Sequence, residues 1–295
     1  MTATLIKGAE VAKQIREELA KEVADLKAKH NVVPGLVTIL VGSDPASQVY
    51  VGQKEKTAKE LGIYSERYDL PENTSQKDLI ALVEKLNKNP KINGILCQLP
   101  LPKHLNEEQV VYAIDPNKDV DGLHPVNQGK LMSGEADFIP CTPRGIQQLL
   151  IRSNTQIEGA DVVVIGRSNL VGKPILNILL QKAPGANATV TLCHTKTKDL
   201  AFYTKHADII IAAAGKPKTV TGDMVKDGVV VIDVGVNEIG KTAEGKRILV
   251  GDVDFETVSP KAKAITPVPG GVGPMTITML MMNTVKAAKM AAGLK

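Results

Sequence analysis

The chain has 295 residues, and at roughly 150 residues per domain that length predicts two domains and excludes a peptide-sized or disulfide-stapled scaffold. Hydrophobic residues make up 43% and charged residues 23%, a globular balance too apolar for a disordered polymer. The formal charge is +4 and spread over many segments, so nucleic acid is not demanded as a partner. The longest apolar runs, such as Ile209 to Ala214, fall far short of the roughly 20 residues of a membrane span, and the opening MTATLIKGAEVAKQI lacks a signal-peptide core, which predicts a cytoplasmic protein.

From about residue 8 to residue 115, helix-like and strand-like stretches alternate, the pattern of a mostly parallel sheet covered by crossover helices. Strands are expected over 35–41, 63–68 and 92–98. A helix is expected from about Pro45 to Leu61, closed by Gly62, and another opened by Ser75 with Asp78 three residues on. Pro100 to Pro143, rich in proline and glycine, reads as a linker region of loops. A second α/β series follows, with apolar runs at 160–166, 188–194, 207–215 and 228–235 that are too continuous for exposed strands and predict a doubly wound parallel sheet covered on both faces. After ITPVPGGVGPMT comes a helical tail from about Met275 to Ala292, expected to pack back on the first domain.

Cys97, Cys141 and Cys193 stand about fifty residues apart and read as buried reduced thiols, and no histidine pair has helical ligand spacing, so no metal site is expected. Asn117, Asp119, Asp121 and Gly122 imitate the first half of a calcium loop. The imitation fails where Gln128 replaces the closing glutamate and Pro125 interrupts the loop.

The first strand of the second series runs through Gly166-Arg167-Ser168 to Gly172-Lys173-Pro174 and into a helical stretch. Strand, glycine turn and helix together let backbone approach a pyrophosphate near a helix N-terminus. Five residues separate the two glycines, so the match to a dinucleotide fingerprint is weak and a purely structural turn remains open. Pro174 stands where a Walker loop needs Ser or Thr, which demotes ATP hydrolysis. At the end of the next strand, Cys193-His194-Thr195-Lys196 offers no acid for a ribose hydroxyl. Thr195, and Arg167 in the first turn, instead favour a phosphate, and hence NADP over NAD. In the first series, Ser47, Tyr50 and Lys54 fall at i, i+3 and i+7 and share one helix face. Spacing alone leaves open that Tyr50 is half-buried core and Lys54 an exposed lysine like Lys56 and Lys59.

Taken together, DPASQVYVGQKEKTAKELGI, GILCQLPLP, PNKDVDGLHPVNQGKL, FIPCTPRGI, VIGRSNLVGKP and TPVPGGVGPMT resemble, in the same order, the bifunctional methylenetetrahydrofolate dehydrogenase/cyclohydrolase family, and the match covers nearly the whole chain. The resemblance implies an N-terminal α/β catalytic domain that binds folate, residues 1–141 with 272–295. It also implies a Rossmann-like doubly wound NADP domain, residues 142–271. It implies NADP-dependent oxidation of 5,10-methylenetetrahydrofolate to the methenyl form, followed by hydrolysis to 10-formyltetrahydrofolate, in one-carbon metabolism. The family's stacking aromatic falls on Tyr50, its catalytic lysine on Lys54, the glutamine of Q-L-P-L-P on Gln98 beside Leu99, and the acid of D-V-D-G on Asp121, with Ser47 near the same site. Pro269, Gly270 and Gly273 lie in the segment that would close over the folate. The cofactor positions are Gly166, Arg167, Ser168, Thr195, where relatives often carry Ser or Arg, and Val236. A homodimer is implied as well. Two rival readings are another two-domain NAD(P) dehydrogenase acting on an amino or hydroxy acid, and a non-catalytic module that senses NADP.

Overall fold

The computed structural model describes residues 3–242 and 244–294, so the outer limits expected at residues 1 and 295 lie outside the described residues. In chain order, β1 (Thr4–Leu5) and α1 (Gly8–His30) precede β2 (Gly35–Val41), which is buried along its whole length as its apolar run requires. The next helix, α2 (Pro45–Glu60), begins where the sequence says it should. The Asp44 carboxylate accepts from Ser47 N, and Pro45 sits in the first turn, where no N–H is needed. Gly62, at φ +76°, carries the chain out of it. Then come β3 (Tyr64–Leu70), α3 (Gln76–Asn87), capped by the Ser75 hydroxyl on Asp78 N, and β4 (Gly94–Cys97).

The stretch expected as loops holds α4 (Glu107–Ala113), α5 (Pro125–Ser133) and the start of α6 (Cys141–Arg152). Helices of 7 and 9 residues are too short to show a hydrophobic period, and their ends carry the signal instead. Asn106 caps Gln109 N, His124 caps Val126 N ahead of Pro125, and Gly134 closes α5 at φ +82°.

The second series supplies β5 (Asp161–Ile165), α7 (Gly172–Leu179), β6 (Thr189–Cys193), α8 (Leu200–Thr204), β7 (Ile209–Ala212) and β8 (Val230–Asp233). A hairpin of β9 (Asn237–Lys241) and β10 (Arg247–Val250) follows, then α9 (Phe255–Val258), β11 (Ala264–Ile265) and α10 (Gly273–Ala291). No helix among the described residues is long and apolar enough to cross a membrane.

The chain forms two compact units: the residues through Ala12 with Thr142–Thr276, and Lys13–Cys141 with the residues from Ile277 onward. The first is built on a parallel six-stranded sheet of order β1-β11-β8-β7-β5-β6. Its strands β5, β7 and β8 are buried as expected, but β6 lies at the edge and is only partly covered. Pairing of β1 with β11 builds the first strand into this larger sheet, a strand that lies ahead of the first series as the sequence shows it and within the residues 1–141 that the resemblance assigns to the folate-binding domain. Two residues carry no periodicity from which that partner could be read.

The other unit is built on the parallel sheet β3-β2-β4. Its inner face packs Val37, Ile39 and Val41 against Leu79, Val83 and Leu86 of α3. The tail helix contributes here from Ile277 onward: Asn283 Nδ2 donates to Val120 O (2.8 Å) and Ile139 O (3.0 Å), and Lys289 pairs with Glu22 (3.0 Å). Both units are α/β, and the larger one is doubly wound.

Candidate active site

In the smaller sheet β3 and β4 flank β2 on opposite sides, so successive connections diverge at the carboxyl end of β2, where open α/β sheets form ligand crevices. The chain leaves β2 through Gly42 into α2, and Gln98 follows β4 directly. Lys54 of α2 is 8% exposed, and its Nζ donates to Gln98 Oε1 at 2.8 Å. Gln98 Nε2 in turn donates to Leu99 O at 2.6 Å, which fixes the amide so that its oxygen faces the amine. Burial lowers the proton affinity of Lys54, and the nearby Asp121 carboxylate pulls it partly back up. The i, i+3, i+7 stripe is divided: Ser47 and Lys54 are buried, while Tyr50 is 41% exposed, its ring available to a flat ligand.

Asp121 owes its place to Gly122. At φ +73° that residue lies against the backbone of the FIPC segment, and a Cβ there would stand 2.7 Å from Pro140 N and 2.8 Å from Ile139 C. The close approach sets Asp121 beside the buried Cys141 thiol, which donates to Val120 O at 3.4 Å. Burial, and then the Asp121 carboxylate, push this thiol well above its ordinary range, so it stays protonated. Sequence reasoning treated Cys141 only as a buried thiol and passed over Asn283, which ties the backbones on both sides of it. The signal for Cys141 was its position inside FIPCTP. For Asn283, 163 residues away from Val120, there was none.

The acid beside Asp121 has a different task. Asp119 is buried and accepts from Leu123 N (3.2 Å), His124 N (2.8 Å) and Asn127 Nδ2 (2.8 Å), so it folds the loop into α5. Its oxygens are thereby spent on the protein. No three His, Cys, Asp or Glu side chains converge among the described residues to hold a metal ion.

A second constellation lies in the larger-sheet unit, at the carboxyl end of β5, flanked by β6 and β7. Gly166 has φ +116°, and a Cβ there would collide with Ala213 O; one on Gly172 would collide with Gly166 O. The turn is bare backbone packed on bare backbone. Ser168 ties it to α7, its Oγ accepting from Val171 N (3.1 Å) and its carbonyl from Lys173 N (3.1 Å). Lys173, the Walker-like lysine, donates to Asn169 Oδ1 at 2.8 Å. Ile165 and Cys193 are register partners, so Arg167 and Thr195 follow the ends of adjacent strands, and both are exposed. Val236 follows β8 and is 55% exposed. A turn whose two glycines leave no room for a side chain, an exposed guanidinium and hydroxyl, and no acid at the end of β6 fit a phosphorylated dinucleotide. Pro269 and Gly270, in the connection from β11 to α10, and Gly273, the first residue of α10, belong to this same unit. Gly270 O accepts from Ala9 N at 3.2 Å, which fastens the connection to the start of α1.

Comparison with known proteins bears on both constellations. Residues 6–121 match the tetrahydrofolate dehydrogenase/cyclohydrolase catalytic domain, and residues 140–292 match the tetrahydrofolate dehydrogenase/cyclohydrolase NAD(P)-binding domain. The chain is 64% identical over 294 residues to the bifunctional protein FolD of Syntrophus aciditrophicus, covering 100% of both chains. It is 62% identical over 294 residues to that of Dehalococcoides mccartyi strain 195, covering 100% of this chain and 99% of the other. Among solved structures, the FolD methylenetetrahydrofolate dehydrogenase/cyclohydrolase of Campylobacter jejuni superposes with a TM-score of 0.91 at 50% identity, over 97% of this chain and 99% of that one. The Trypanosoma brucei enzyme, solved with NADP cofactor and inhibitor, gives 0.92 at 39% identity over 98% of each. With both domain types matched in order and identity this high over the whole length, the chain belongs to the tetrahydrofolate dehydrogenase/cyclohydrolase family.

Proposed function

We propose that Lys54 is the acid/base of the cyclohydrolase step, that Gln98 orients it, that Asp121 holds the pterin, and that NADP is the dinucleotide of the dehydrogenase step. The observation carrying this reading is the buried Lys54 amine, pinned by a glutamine whose own amide is pinned by Leu99 O. An ordinary surface lysine has no such support.

In the first step 5,10-methylenetetrahydrofolate loses a hydride from its bridging carbon, and the two neighbouring nitrogens stabilise the cation. Bound NADP supplies the hydride acceptor. The protein's part is to hold and orient: Tyr50 stacks on the aminobenzoate, and the Asp121 carboxylate accepts from the amino and ring N–H groups of the pterin edge. Ser47, Leu99, Pro269, Gly270 and Gly273 complete the proposed substrate contacts. Gly166, Arg167, Ser168, Thr195 and Val236 would hold the dinucleotide, with Arg167 and Thr195 on the phosphate of its ribose.

In the second step water adds to the methenyl carbon. Lowered proton affinity leaves a fraction of Lys54 as the neutral amine, which takes a proton from the adding water. The resulting ammonium returns that proton to the pterin nitrogen as its bond to carbon breaks, the hydroxyl proton departs to solvent, and 10-formyltetrahydrofolate remains. We further infer a cytoplasmic homodimer in which the smaller-sheet unit supplies Tyr50, Lys54, Gln98 and Asp121 to the folate and the larger-sheet unit binds NADP.

A paired assay on one preparation tests this. NADPH should appear with methylenetetrahydrofolate, and methenyltetrahydrofolate absorbance should decay without any dinucleotide. Absence of either activity from folded protein would refute the bifunctional reading.

A further inference from the structure

Asp252, at the start of the segment after β10, is fully buried, and no basic side chain contacts its carboxylate among the described residues. Its donors are amides. Oδ2 accepts from two consecutive backbone groups, Ala214 N (2.6 Å) and Gly215 N (2.8 Å), and Oδ1 accepts from Asn237 Nδ2 (2.9 Å). Directly behind it stands a second buried carboxylate, Asp233, whose Oδ1 accepts from Gly235 N and Asp252 N (both 2.9 Å) and whose Oδ2 accepts from Val253 N (3.0 Å). Glycine at 235 and 251 is demanded by this arrangement. A Cβ at Gly235 would strike the Asp252 carboxylate, and one at Gly251 the Asp233 carboxylate.

Two adjacent carboxylates buried without a cation are a costly way to fill space, since apolar side chains would pack the same volume at lower cost. What a carboxylate does and a leucine cannot is turn two consecutive amides inward. Here those amides belong to the turn after β7, and the residue before them, Ala213, presents its carbonyl to the spot where a side chain on Gly166 would be. Contact therefore runs without a break from Asp252 to Ala214 and Gly215, through Ala213 O, to the first glycine of the turn after β5.

We propose that Asp252 is a positioning residue for the dinucleotide. Working from inside the unit, it draws the turn Ala213–Gly215 onto Gly166 and so sets the shape of the glycine turn that receives the pyrophosphate, with Asp233 anchoring Asp252 from behind. The inference rests on the reading of this turn as the NADP site.

The test compares wild type with Asp252→Ala and Asp252→Asn. Asparagine keeps one acceptor oxygen, too few for both the amide pair and Asn237. NADP affinity, read by calorimetry, should fall about tenfold or more in Asp252→Ala and by a smaller factor in Asp252→Asn. The KM for NADP should rise in step, while the KM for folate and the rate of methenyltetrahydrofolate hydrolysis stay within twofold. In the dinucleotide-free proteins, hydrogen exchange at Ala214 and Gly215 should accelerate. NADP affinity unchanged within twofold in folded variants would overturn the proposal. So would parallel loss of hydrolysis and dinucleotide binding, which would mark Asp252 as a support of the whole unit. Should Asp252→Ala fail to fold, Asp252→Asn decides by the same criteria. Wild-type protein that fails to oxidise methylenetetrahydrofolate would instead overturn the functional reading, so the two failures are told apart.

Discussion

Lys54→Met separates chemistry from folding at the centre of the smaller-sheet unit. Methionine keeps most of the aliphatic stem and removes the amine. Two energetic consequences oppose each other. The Gln98 oxygen loses its donor, which costs about 1–3 kcal/mol for a buried acceptor. A buried charge no longer has to be desolvated, and exchanging buried ionic groups for apolar ones is often neutral or stabilising by about 1–4 kcal/mol. The net change should fall between about 2 kcal/mol of loss and about 3 kcal/mol of gain, and at roughly 2–4 °C per kcal/mol the melting temperature should drop by no more than about 8 °C or rise by no more than about 12 °C. Loss of a positioned acid/base, by contrast, costs about 10²–10⁴ in rate, or roughly 2.7–5.5 kcal/mol of barrier. The assay follows methenyltetrahydrofolate decay, NADPH formation and a thermal melt on one preparation. Hydrolysis should fall at least a hundredfold while NADPH formation survives in part. Hydrolysis retained within tenfold, or equal loss of both activities with folate binding intact, would refute the role assigned to Lys54.

Asp121→Asn removes the charge that draws the Lys54 proton affinity upward, so the limb along which hydrolysis rises with pH should move to lower pH; an unmoved limb in kcat would dissolve that electrostatic link. Gly122→Ala places a Cβ 2.7 Å from Pro140 N at φ +73°. It should cost about 2–4 kcal/mol, and a melt within 2 °C of wild type would show that the turn relaxes freely. Arg167→Ala should raise the KM for NADP more than that for NAD, and equal effects would take Arg167 away from the phosphate. Burial raises the Asp233 carboxyl from 3.8 to about 6, outweighing its amide donors. Because the folded form holds this proton more tightly, the group's favourable contribution is complete below about pH 3.8 and is lost as pH rises to about 6, a change of about 3 kcal/mol. In Asp233→Asn the stability profile should flatten across that window; a profile identical to wild type would contradict the assignment.

Local rules made much of this legible. Asp44 with Pro45, Ser75 with Asp78, and Gly62 announce helix ends through groups at most a few residues apart, and the buried strands announce themselves as unbroken apolar runs. The stripe Ser47, Tyr50, Lys54 is likewise a matter of helical spacing. Its meaning was not: spacing alone left Lys54 as readily solvated as Lys56, and burial with a Gln98 partner 44 residues away emerges only when β4 is laid beside β2. The same limit explains why the short α4 and α5 read as loops.

The amino-acid order by itself determined the α/β class, the division into two series, and the motifs in which Lys54, Gln98, Asp121 and Gly166 stand, because these depend on near neighbours along the chain. Tertiary structure alone decided that β1 joins β11, that Cys141 and Asn283 attend Asp121, and that Asp252 reaches the glycine turn through Ala214 and Gly215. Each of those relations joins residues tens to hundreds of positions apart. Contacts of that kind leave no period or cap in a sequence, since their stabilisation comes from burial and hydrogen bonds that exist only after the sheets have assembled.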